Sequence, residues 1–551
     1  MRILKNFIFC LARLALGAGL LLFAAGIPAY FTAVDKYCVT AANSSSDISV
    51  SKLAQIYLDA AKVSSAVMVS SSIGDSQSIE PQAKELYSKH PQWIAGGGDD
   101  PFFEAFYSSV DDGNAGAPQR VYPLLSTEAN RSKLVEFLSQ SNQALVGRVL
   151  ALRDLNSVLL PPVYSSAGAP LDAAILINAL LVQTGDFNQK FLRAFSDLVD
   201  NAKTDQTKKE ILEKHFLATL VFARGLDWTQ LRSVFEHFDS PTSLYDFSRL
   251  YSSRKNMEER RLLLSGLLLT RAPDLCVKYL GYSSDDRKKS DFSYALLNGS
   301  GSLEYLLKLD KPIYKDSPVA RHIAPVANVI KSKLGGICAA YPNAALTMKV
   351  LVSILGGYFL ARGFLRIFSP YRDTPAWYSP LALARGLLEA LVVAVTFFVL
   401  VEPEAFMVKI DTGEAPPELR FAFEKIVNNI QEDTMKLDTD TATLAAVGLF
   451  LVLQFLVYLF CLIRIASIKR VKTSPQLKLK LLENEENLFD LGLYIGLAGT
   501  VVSLVLLTVG IVTASLMAAY TSTLFGILVT ALVKIVHLRR FKRKLLVEIG
   551  Q

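Results

Sequence analysis

Residues 490–534 read DLGLYIGLAGTVVSLVLLTVGIVTASLMAAYTSTLFGILVTALVK, and this stretch decides the fold class. Only its ends are charged, and the 43 residues between Asp490 and Lys534 carry no charge. Because a helix needs about 20 apolar residues to cross the hydrocarbon of a bilayer, the stretch is too long for one span and long enough for two. Small polar residues at Thr513-Ala514-Ser515 interrupt the apolar run, and we place the turn between two membrane helices there.

Two stretches elsewhere are equally free of charge, residues 14–34 and residues 441–463. Each is long enough for one span. Basic residues precede the first stretch, and small residues occur inside it at Ala24-Ala25-Gly26, a pattern that also describes a cleaved signal peptide. The apolar run is long for a signal peptide, so we predict an uncleaved signal anchor at residues 1–34.

Two further candidates, residues 345–365 and residues 381–401, each contain two charged residues. In the second, Arg385 and Glu389 are four residues apart and can pair on one face of a helix. We predict a transmembrane hairpin at residues 344–402; a re-entrant or interfacial hairpin is the alternative. The chain is therefore expected to be an all-α polytopic membrane protein with about six transmembrane helices.

The distribution of Lys and Arg predicts the orientation of the chain, because basic loops stay on the cytoplasmic side of a membrane. In a six-span arrangement all the basic segments lie on one side with both termini, and the acid-rich residues 403–440 lie on the other. This predicts a bacterial inner membrane protein with cytoplasmic termini. The net charge of +7 indicates contact with membrane lipids and no nucleic acid partner. The basic segments are the N-terminus and residues 362–385, 464–480 and 539–544.

Residues 35–343 form the predicted periplasmic domain. From about residue 130 apolar helices alternate with amphipathic ones, beginning with a pair at residues 173–183 and 188–199. The breaks between pairs recur at roughly 40 residues, the period of stacked helix pairs. The pattern predicts an α-solenoid, which offers an extended surface for an envelope protein or peptidoglycan. An irregular helical bundle is the alternative.

No pattern in the sequence indicates catalysis, a metal or a cofactor. The histidines are scattered, without a His-x-x-x-His pair, and there is no Cys-x-x-Cys. The run Gly96-Gly97-Gly98 lacks the Lys-Ser/Thr of a phosphate-binding loop, and we interpret it as a flexible turn. Asp99 and Asp100, which follow it, lack the spacing of a calcium loop and are interpreted as solvated turn residues rather than calcium ligands.

Three of the five cysteines, Cys38, Cys276 and Cys338, lie on the predicted outer side, which is an oxidising place in a bacterial envelope. Cys38 follows the first span and Cys338 precedes the second, so both are expected near the membrane surface. We predict a Cys38–Cys338 disulfide, with Cys276 buried in the solenoid.

The last two predicted helices each carry a stripe of small residues at spacings of three and four. Such stripes let membrane helices approach closely, and their hydroxyls can bond across the contact. Packing is the usual meaning of such a stripe, and the lining of a pore is the alternative. The stripes are Gly492, Gly496, Gly499, Thr500 and Ser503, and then Ala519, Ser522, Thr523, Gly526 and Thr530.

Both stripes resemble the MotA/TolQ/ExbB proton-channel family. Gly496-Leu497-Ala498-Gly499-Thr500-Val501 is similar to the Gly-Leu-x-Gly-Thr-Val signature of the penultimate helix of that family. Thr523-Leu524-Phe525-Gly526 resembles the Thr-x-x-Gly core of its final helix. Residues 441–463 would be the preceding helix, so the resemblance covers residues 441–551 and leaves the first 440 unexplained. Ser503 departs from it, since another glycine is common there, and the inside connection is shorter than in many members.

The resemblance implies a ring of five subunits around two helices of a single-span partner similar to ExbD, TolR or MotB. An Asp embedded in the partner's helix would take up and release a proton as the ion crosses. Hydroxyls of the ring line the route in such channels. This implies that Thr500 and Thr523 line the pore. Ser522 and Thr530 are expected beside them without support from the motif, and the stripes themselves predict that Gly496, Gly499, Ser503 and Gly526 pack the helices.

Two functions from different classes follow from these patterns. The first is a ring-forming subunit of an ion-motive-force-driven channel, with protons expected and sodium as the other ion, which transfers energy to a partner in the envelope. The alternative is a membrane-anchored scaffold or receptor, without ion conduction. A secondary transporter ranks lowest because no inverted repeat of interrupted helices is present. Outside the spans, residues 416–437 indicate an amphipathic helix that lies on the membrane or on a neighbour.

Overall fold

The computed structural model describes residues 2–43, 47–74, 76–110, 117–155, 168–282, 285–368, 380–402, 441–471, 473–508 and 516–549. Within these ranges the chain is helical, and its β pairing is limited to isolated bridges between Val34 and Ile313 and between Arg120 and Asp227. The described residues divide into two compact units. We call residues 33–313 the helical unit, and residues 2–32, 314–402 and 441–549 the membrane unit. The predicted helix at 416–437 and the turn at 513–515 lie outside the described residues.

The helices are numbered in chain order. The membrane unit begins with α1 (Arg2–Gly26). The helical unit contains α2 (Lys36–Ala41), α3 (Val50–Asp59), α4 (Val63–Ser71), α5 (Ser76–Lys89), α6 (Trp93–Gly96), α7 (Pro101–Tyr107), α8 (Val121–Leu124), α9 (Glu128–Ser139), α10 (Ala144–Leu150), α11 (Ala169–Thr184), α12 (Gln189–Asn201), α13 (Gln206–Ala223), α14 (Trp228–Phe235), α15 (Pro241–Ser253), α16 (Met257–Thr270), α17 (Pro273–Leu280), α18 (Asp286–Leu297) and α19 (Ser300–Leu309). The membrane unit continues with α20 (Pro318–Ala340), α21 (Pro342–Phe368), α22 (Pro380–Val401), α23 (Thr441–Arg470), α24 (Pro475–Asn484), α25 (Glu486–Phe489), α26 (Leu491–Thr508), α27 (Leu516–Ala531) and α28 (Arg539–Ile549). A 3-10 helix, Ala151–Asp154, follows α10, and a π-helix, Leu532–Leu538, joins α27 to α28.

Alternate helices pack on one another through the second half of the helical unit. α11 packs on α13, α13 on α15, α15 on α17 and α17 on α19. The first helices pack on the same stack, because α4 contacts α14 and α16, and α2 contacts α19. The helices predicted at 173–183 and 188–199 are present as α11 and α12. The sequence analysis missed α15, which is rich in Ser and Tyr and has no long apolar run.

The centre of the helical unit is α11, of which residues 171–182 are all buried. A helix that is surrounded on all sides must find partners for its polar side chains. Asp172 accepts a hydrogen bond from Arg131 Nε at 3.0 Å. Asn178 Oδ1 lies 2.7 Å from His215 Nε2. Burial lowers the pKa of His215 to about 3, so this histidine is a neutral core residue.

The Gly96-Gly97-Gly98 run is a packed element, and its interpretation as a flexible turn is wrong. All three glycines are buried, and Gly97 has a φ of +83°, so a side chain there would be strained and would also clash with Ser64. Asp100 is buried as well rather than solvated. It caps α7, and it accepts a hydrogen bond from Trp228 Nε1 at 2.5 Å. The run thus lets the chain approach α4 and α14 closely.

Three helices among the described residues are long and apolar enough to cross a membrane. They are Ile8–Gly26 in α1, Pro342–Phe364 in α21, and Ser522–Ile549, which runs from α27 through the π-helix into α28. Shorter apolar stretches lie at Glu389–Val401 in α22 and at Leu491–Val501 in α26. α1 packs along α21 and α21 on α22, while α23, α26 and α27 form a second group. The chain is therefore helical and compatible with a membrane protein.

Two boundaries differ from the sequence analysis. α1 ends at Gly26, although an apolar helix was expected over 14–34, because Pro28 has no backbone N–H and disfavours helical geometry in the residue before it. The boundary between the units falls after Ile313 and not at 343. α20 belongs to the membrane unit because it packs along α1, where a Cβ on Gly26 would lie 2.7 Å from Ile330 Cβ.

A cluster of aromatic and basic side chains joins α1, α20 and α21. We call Tyr30, Tyr314, Lys331 and Lys349 the tyrosine–lysine cluster. The two tyrosine rings stack with their centroids 3.8 Å apart. The ammonium of Lys349 lies 3.7 Å from the Tyr30 centroid and donates to Ala29 O at 2.6 Å, and that of Lys331 lies 5.2 Å from the Tyr314 centroid. Both lysines are buried, so cation–π contacts and hydrogen bonds replace their hydration.

The end of α22 is tied to the start of α20. The Tyr314 hydroxyl donates to Val401 O at 2.7 Å, and Ser317 Oγ donates to Leu400 O at 2.8 Å. Glu402 follows directly and is buried, and its Oε1 accepts a hydrogen bond from Thr32 N at 2.9 Å. The cluster and these bonds hold four segments of the membrane unit together.

Candidate ion-pathway site in the last helices

α26 and α27 approach each other through glycines. A Cβ on Gly526 would lie 2.5 Å from Gly492 O and 3.1 Å from Gly496 Cα. A Cβ on Gly496 would lie 2.8 Å from Ser522 O. Each of these neighbours is a backbone atom that cannot rotate away, so both positions need glycine at this separation of the helices. Gly499 is buried one turn further along α26, and the side chain of Ser503 lies outside the described residues.

Three hydroxyls converge on one backbone carbonyl at this contact. Gly496 O accepts from Ser522 Oγ at 2.6 Å, from Thr500 Oγ1 at 3.0 Å and from Thr523 Oγ1 at 3.4 Å. Because each hydroxyl has one proton, Thr523 donates either to Gly496 O or to Thr500 Oγ1, which also lies within hydrogen-bond distance of it. We call these residues the hydroxyl cluster. Ser522 is 0% exposed and Thr500 9%, whereas Thr523 is partly exposed.

A second polar level lies one helical turn away, at Gly492. Gln454 of α23 donates from Nε2 to Gly492 O at 3.0 Å. Thr530 of α27 faces the same glycine, with its Oγ1 3.0 Å from the position that a Cβ on Gly492 would take. Thr530 was predicted as a pore neighbour, but Gln454 was not singled out. The available signal was a lone amide inside the otherwise uncharged residues 441–463.

The end of the helix pair that carries Asp490 and Lys534 is charged and well paired. Lys534 Nζ lies 2.6 Å from Asp490 Oδ2, and Tyr458 OH lies 3.0 Å from His537 Nε2. Lys534 and His537 lie in the π-helix, a distortion that is often found at functional sites. An apolar cluster packs beside these pairs. Its buried members are Val457, Cys461, Ile465, Ile468, Leu482, Phe489, Val533, Leu538 and Leu545.

The connection between α23 and α26 carries an ion pair outside the apolar stretch. The Arg464 guanidinium binds both carboxylate oxygens of Glu485, at 2.5–2.9 Å. These hydrogen bonds hold the pKa of Glu485 below its usual value. The pair fixes the short connection between α23 and α26 against the end of α23.

The cysteines are distributed over both units. Cys38 lies in the helical unit and Cys338 in the membrane unit; both are buried, and the sulfur of each is present as a thiol. The Cys38–Cys338 disulfide stays a prediction, which mass mapping under non-reducing conditions can test. Cys276 is 0% exposed in α17. No group of three His, Cys, Asp or Glu side chains that could hold a metal occurs within the described ranges.

The arrangement supplies neutral oxygen atoms and little else to an ion. Hydroxyl, amide and backbone oxygens can relay a proton along hydrogen bonds or surround a small cation, but hydroxyls do not ionise near neutral pH. The sequence has no Asp or Glu between Asp490 and Glu548. Any carboxylate chemistry at the hydroxyl cluster must therefore come from elsewhere.

Comparisons of the chain with protein-family profiles, with curated proteins and with solved structures gave no match. A functional assignment must therefore rest on the residues and their geometry.

Proposed function

We propose that this chain is a ring-forming subunit of an ion-motive-force-driven channel in a bacterial inner membrane, in which α23, α26 and α27 form the channel module. The observation that carries the proposal is the hydroxyl cluster, where Thr500 and Thr523 meet over Gly496 O. These hydroxyls lie within the two segments that resemble the MotA/TolQ/ExbB family. Ordinary packing needs small residues at such a contact, but it does not need three hydroxyls on one carbonyl.

The absence of an acidic residue from α26 and α27 indicates what a partner protein would have to supply. In the family that these helices resemble, a carboxylate takes up and releases the proton, and this sequence has no Asp or Glu between Asp490 and Glu548. We propose that a single-span protein with an Asp in its helix, similar to ExbD, TolR or MotB, supplies that group. Five copies of this chain would surround two such helices, with Thr500 and Thr523 along the route.

The proposed topology has six spans and cytoplasmic termini. α22, α23 and α26 would cross the membrane together with the three longer apolar helices. The helical unit would then be periplasmic, and the alternate packing from α11 to α19 supports an α-solenoid that binds an envelope protein or peptidoglycan. Flow of protons through the ring would drive motion of the partner against that ligand.

One observation favours the second candidate, a membrane-anchored scaffold without conduction. Ser522 and Thr500 are buried in the contact between two helices of the same chain, as packing residues would be. In the scaffold the helical unit would bind the envelope ligand, and the membrane unit would be its anchor.

The deciding experiment is ion flux in proteoliposomes. The chain is co-purified with the products of neighbouring genes, and flux of protons, with sodium in parallel, is measured by dye fluorescence for Thr500→Val and Thr523→Val. The matched control is Ser353→Ala in α21, because Ser353 is buried and bonds back to Lys349 O at 2.7 Å much as Thr500 bonds to Gly496 O.

We expect each threonine variant to lower the flux about tenfold or more, because a positioned proton-transfer group contributes at least that much. The control should conduct like the parent, and single-particle images should show a five-fold ring with central helices for all variants. Parent-like flux in both threonine variants, or a monomer without central helices, refutes the channel and leaves the scaffold.

A further inference from the structure

Gln454 of α23 and Thr530 of α27 face Gly492 of α26, and we call this place the Gly492 notch. It contains two polar atoms that have no hydrogen-bond partner in the described part of the protein. Gln454 is 2% exposed and Thr530 8%. Among the described residues, neither Gln454 Oε1 nor Thr530 Oγ1 has a hydrogen-bond partner. Both atoms point to one place, because they lie 3.3 and 3.0 Å from the position that a Cβ on Gly492 would take. They come from different helices, α23 and α27, so the convergence is a property of the fold.

Unpaired polar atoms of this kind are costly in a buried site. Leaving a buried donor or acceptor without a partner costs about 1–3 kcal/mol. The threonine hydroxyl could have bonded back to its own helix, as Thr500 does, and the glutamine amide already uses its Nε2 on Gly492 O. A ligand that both accepts and donates hydrogen bonds would satisfy the two oxygens together. Water has this chemistry, and buried water is typically held by two to four polar groups.

The notch lies between the hydroxyl cluster and the Asp490–Lys534 pair, so a water bound there could connect the two. Gly492 lies four residues from Gly496, so the notch is about 6 Å along α26 from the hydroxyl cluster. On the other side it is about 3 Å along α26 from Asp490, and Thr530 is about 6 Å along its own helix from Lys534. A direct hydrogen bond covers only about 3 Å, and one bridging water covers roughly twice that. One water at each step therefore connects the three polar levels.

We propose that the Gly492 notch binds a water molecule held by Gln454 Oε1 and Thr530 Oγ1, and that this water, with a bridging water at each step, links the hydroxyl cluster to the Asp490–Lys534 pair. Each subunit then has its own inner route between α23, α26 and α27. Binding of water stands on the geometry alone, whereas its part in conduction rests on the proposed channel function.

Thiol modification tests whether water reaches the notch, because thiosulfonates react with the ionised thiol, which requires water. The full chain with Thr530→Cys is treated in membranes with a small cationic methanethiosulfonate, and the rate at each cysteine is read by peptide mass spectrometry. Val533→Cys is the matched control, since Val533 is 0% exposed on the next turn but packs in the apolar cluster. Native Cys461, 1% exposed in that cluster, is an internal control in every sample.

The proposal predicts that the cysteine at position 530 reacts at least about tenfold faster than the cysteine at position 533 and faster than Cys461. Because Thr530→Cys replaces the Thr530 hydroxyl with a thiol, Gln454 Oε1 is the remaining oxygen ligand of the water, and adding Gln454→Leu should slow the reaction at position 530 about tenfold. Folding is checked by elution from a sizing column. Equal rates at positions 530 and 533, or no effect of Gln454→Leu, overturn the proposal.

The outcomes separate this inference from the channel itself. If position 530 is as unreactive as position 533 while the parent conducts and Thr500→Val does not, the water site is wrong and the channel stands. If position 530 reacts as expected but the parent carries no flux, the water site stands and the channel function is wrong.

Discussion

Replacing Gly526 with alanine tests how closely α26 and α27 pack. The new Cβ would lie 2.5 Å from Gly492 O, whereas ordinary contacts begin at 3.4 Å, so the two backbones must separate by about 0.9 Å. Gly492 O is a backbone atom in a helix and cannot move out of the way alone. Overpacking of this kind typically destabilises a fold by about 1–3 kcal/mol. The separation also stretches the bonds that Ser522 and Thr523 of α27 make to Gly496 O.

Alkylation of Cys461 measures this loss. Cys461 is 1% exposed in the apolar cluster beside the helix pair, so N-ethylmaleimide reaches it when the bundle opens. A loss of 1–3 kcal/mol raises the open population, and hence the alkylation rate, by about 5- to 150-fold. The rate is read by mass spectrometry of the Cys461 peptide, which separates it from the other cysteines.

The matched control is Gly19→Ala in α1, because a Cβ on Gly19 meets nothing within 4 Å. This variant should alkylate at the parental rate, since it adds a methyl group to open space on a membrane helix. If Gly526→Ala also keeps the parental rate, the tight contact between the two helices is refuted.

Two further predictions concern groups outside the candidate site. Burial raises the pKa of Asp227 from 3.8 to about 7, so the folded helical unit holds this proton more tightly than the unfolded chain, and stability should fall between about pH 4 and 7 by up to about 1.4 kcal/mol per pH unit. Urea unfolding followed by the fluorescence of buried Trp228 should show this slope, and Asp227→Asn should remove it. Lys349→Met leaves Ala29 O without its ammonium donor and should destabilise the membrane unit by about 1–3 kcal/mol in thermal unfolding, while Met at the exposed Lys333 should not. Equal melting temperatures for these two variants would mean that the tyrosine–lysine cluster adds no stability.

Much of the fold could be read from hydrophobic patterns. The apolar and amphipathic pair at 173–183 and 188–199 corresponds to α11 and α12, because an apolar run ended by Gly185 in the left-handed region defines a helix end locally. The unit boundary at 313 could not be read in this way. Whether α20 packs on α1 or on the helical unit depends on contacts between segments far apart in sequence, and composition does not encode them.

The candidate site could be predicted from the sequence only in part, as the fold could. Spacings of three and four marked Gly496 and Gly526, because closely packed helices need small residues wherever they are. Gln454 escaped notice because a single amide in an apolar helix has no periodicity, and its partner Gly492 carries no side chain to suggest a bond. Burial of Asp100 beneath the glycine run depends on α14, more than a hundred residues later in the chain.

The stack of Tyr30 on Tyr314 bears on how the chain is assembled during synthesis. Tyr30 leaves the ribosome long before its partner, so α1 must wait without α20 and α21 until the whole helical unit has been made. The helical unit joins its own two ends by the bridge between Val34 and Ile313. The free energy of closing a loop rises only with the logarithm of its length. The stability of the membrane unit should therefore depend only weakly on the number of residues between the two tyrosines. We therefore expect that the helical unit can be lengthened or replaced while the membrane unit keeps its own fold.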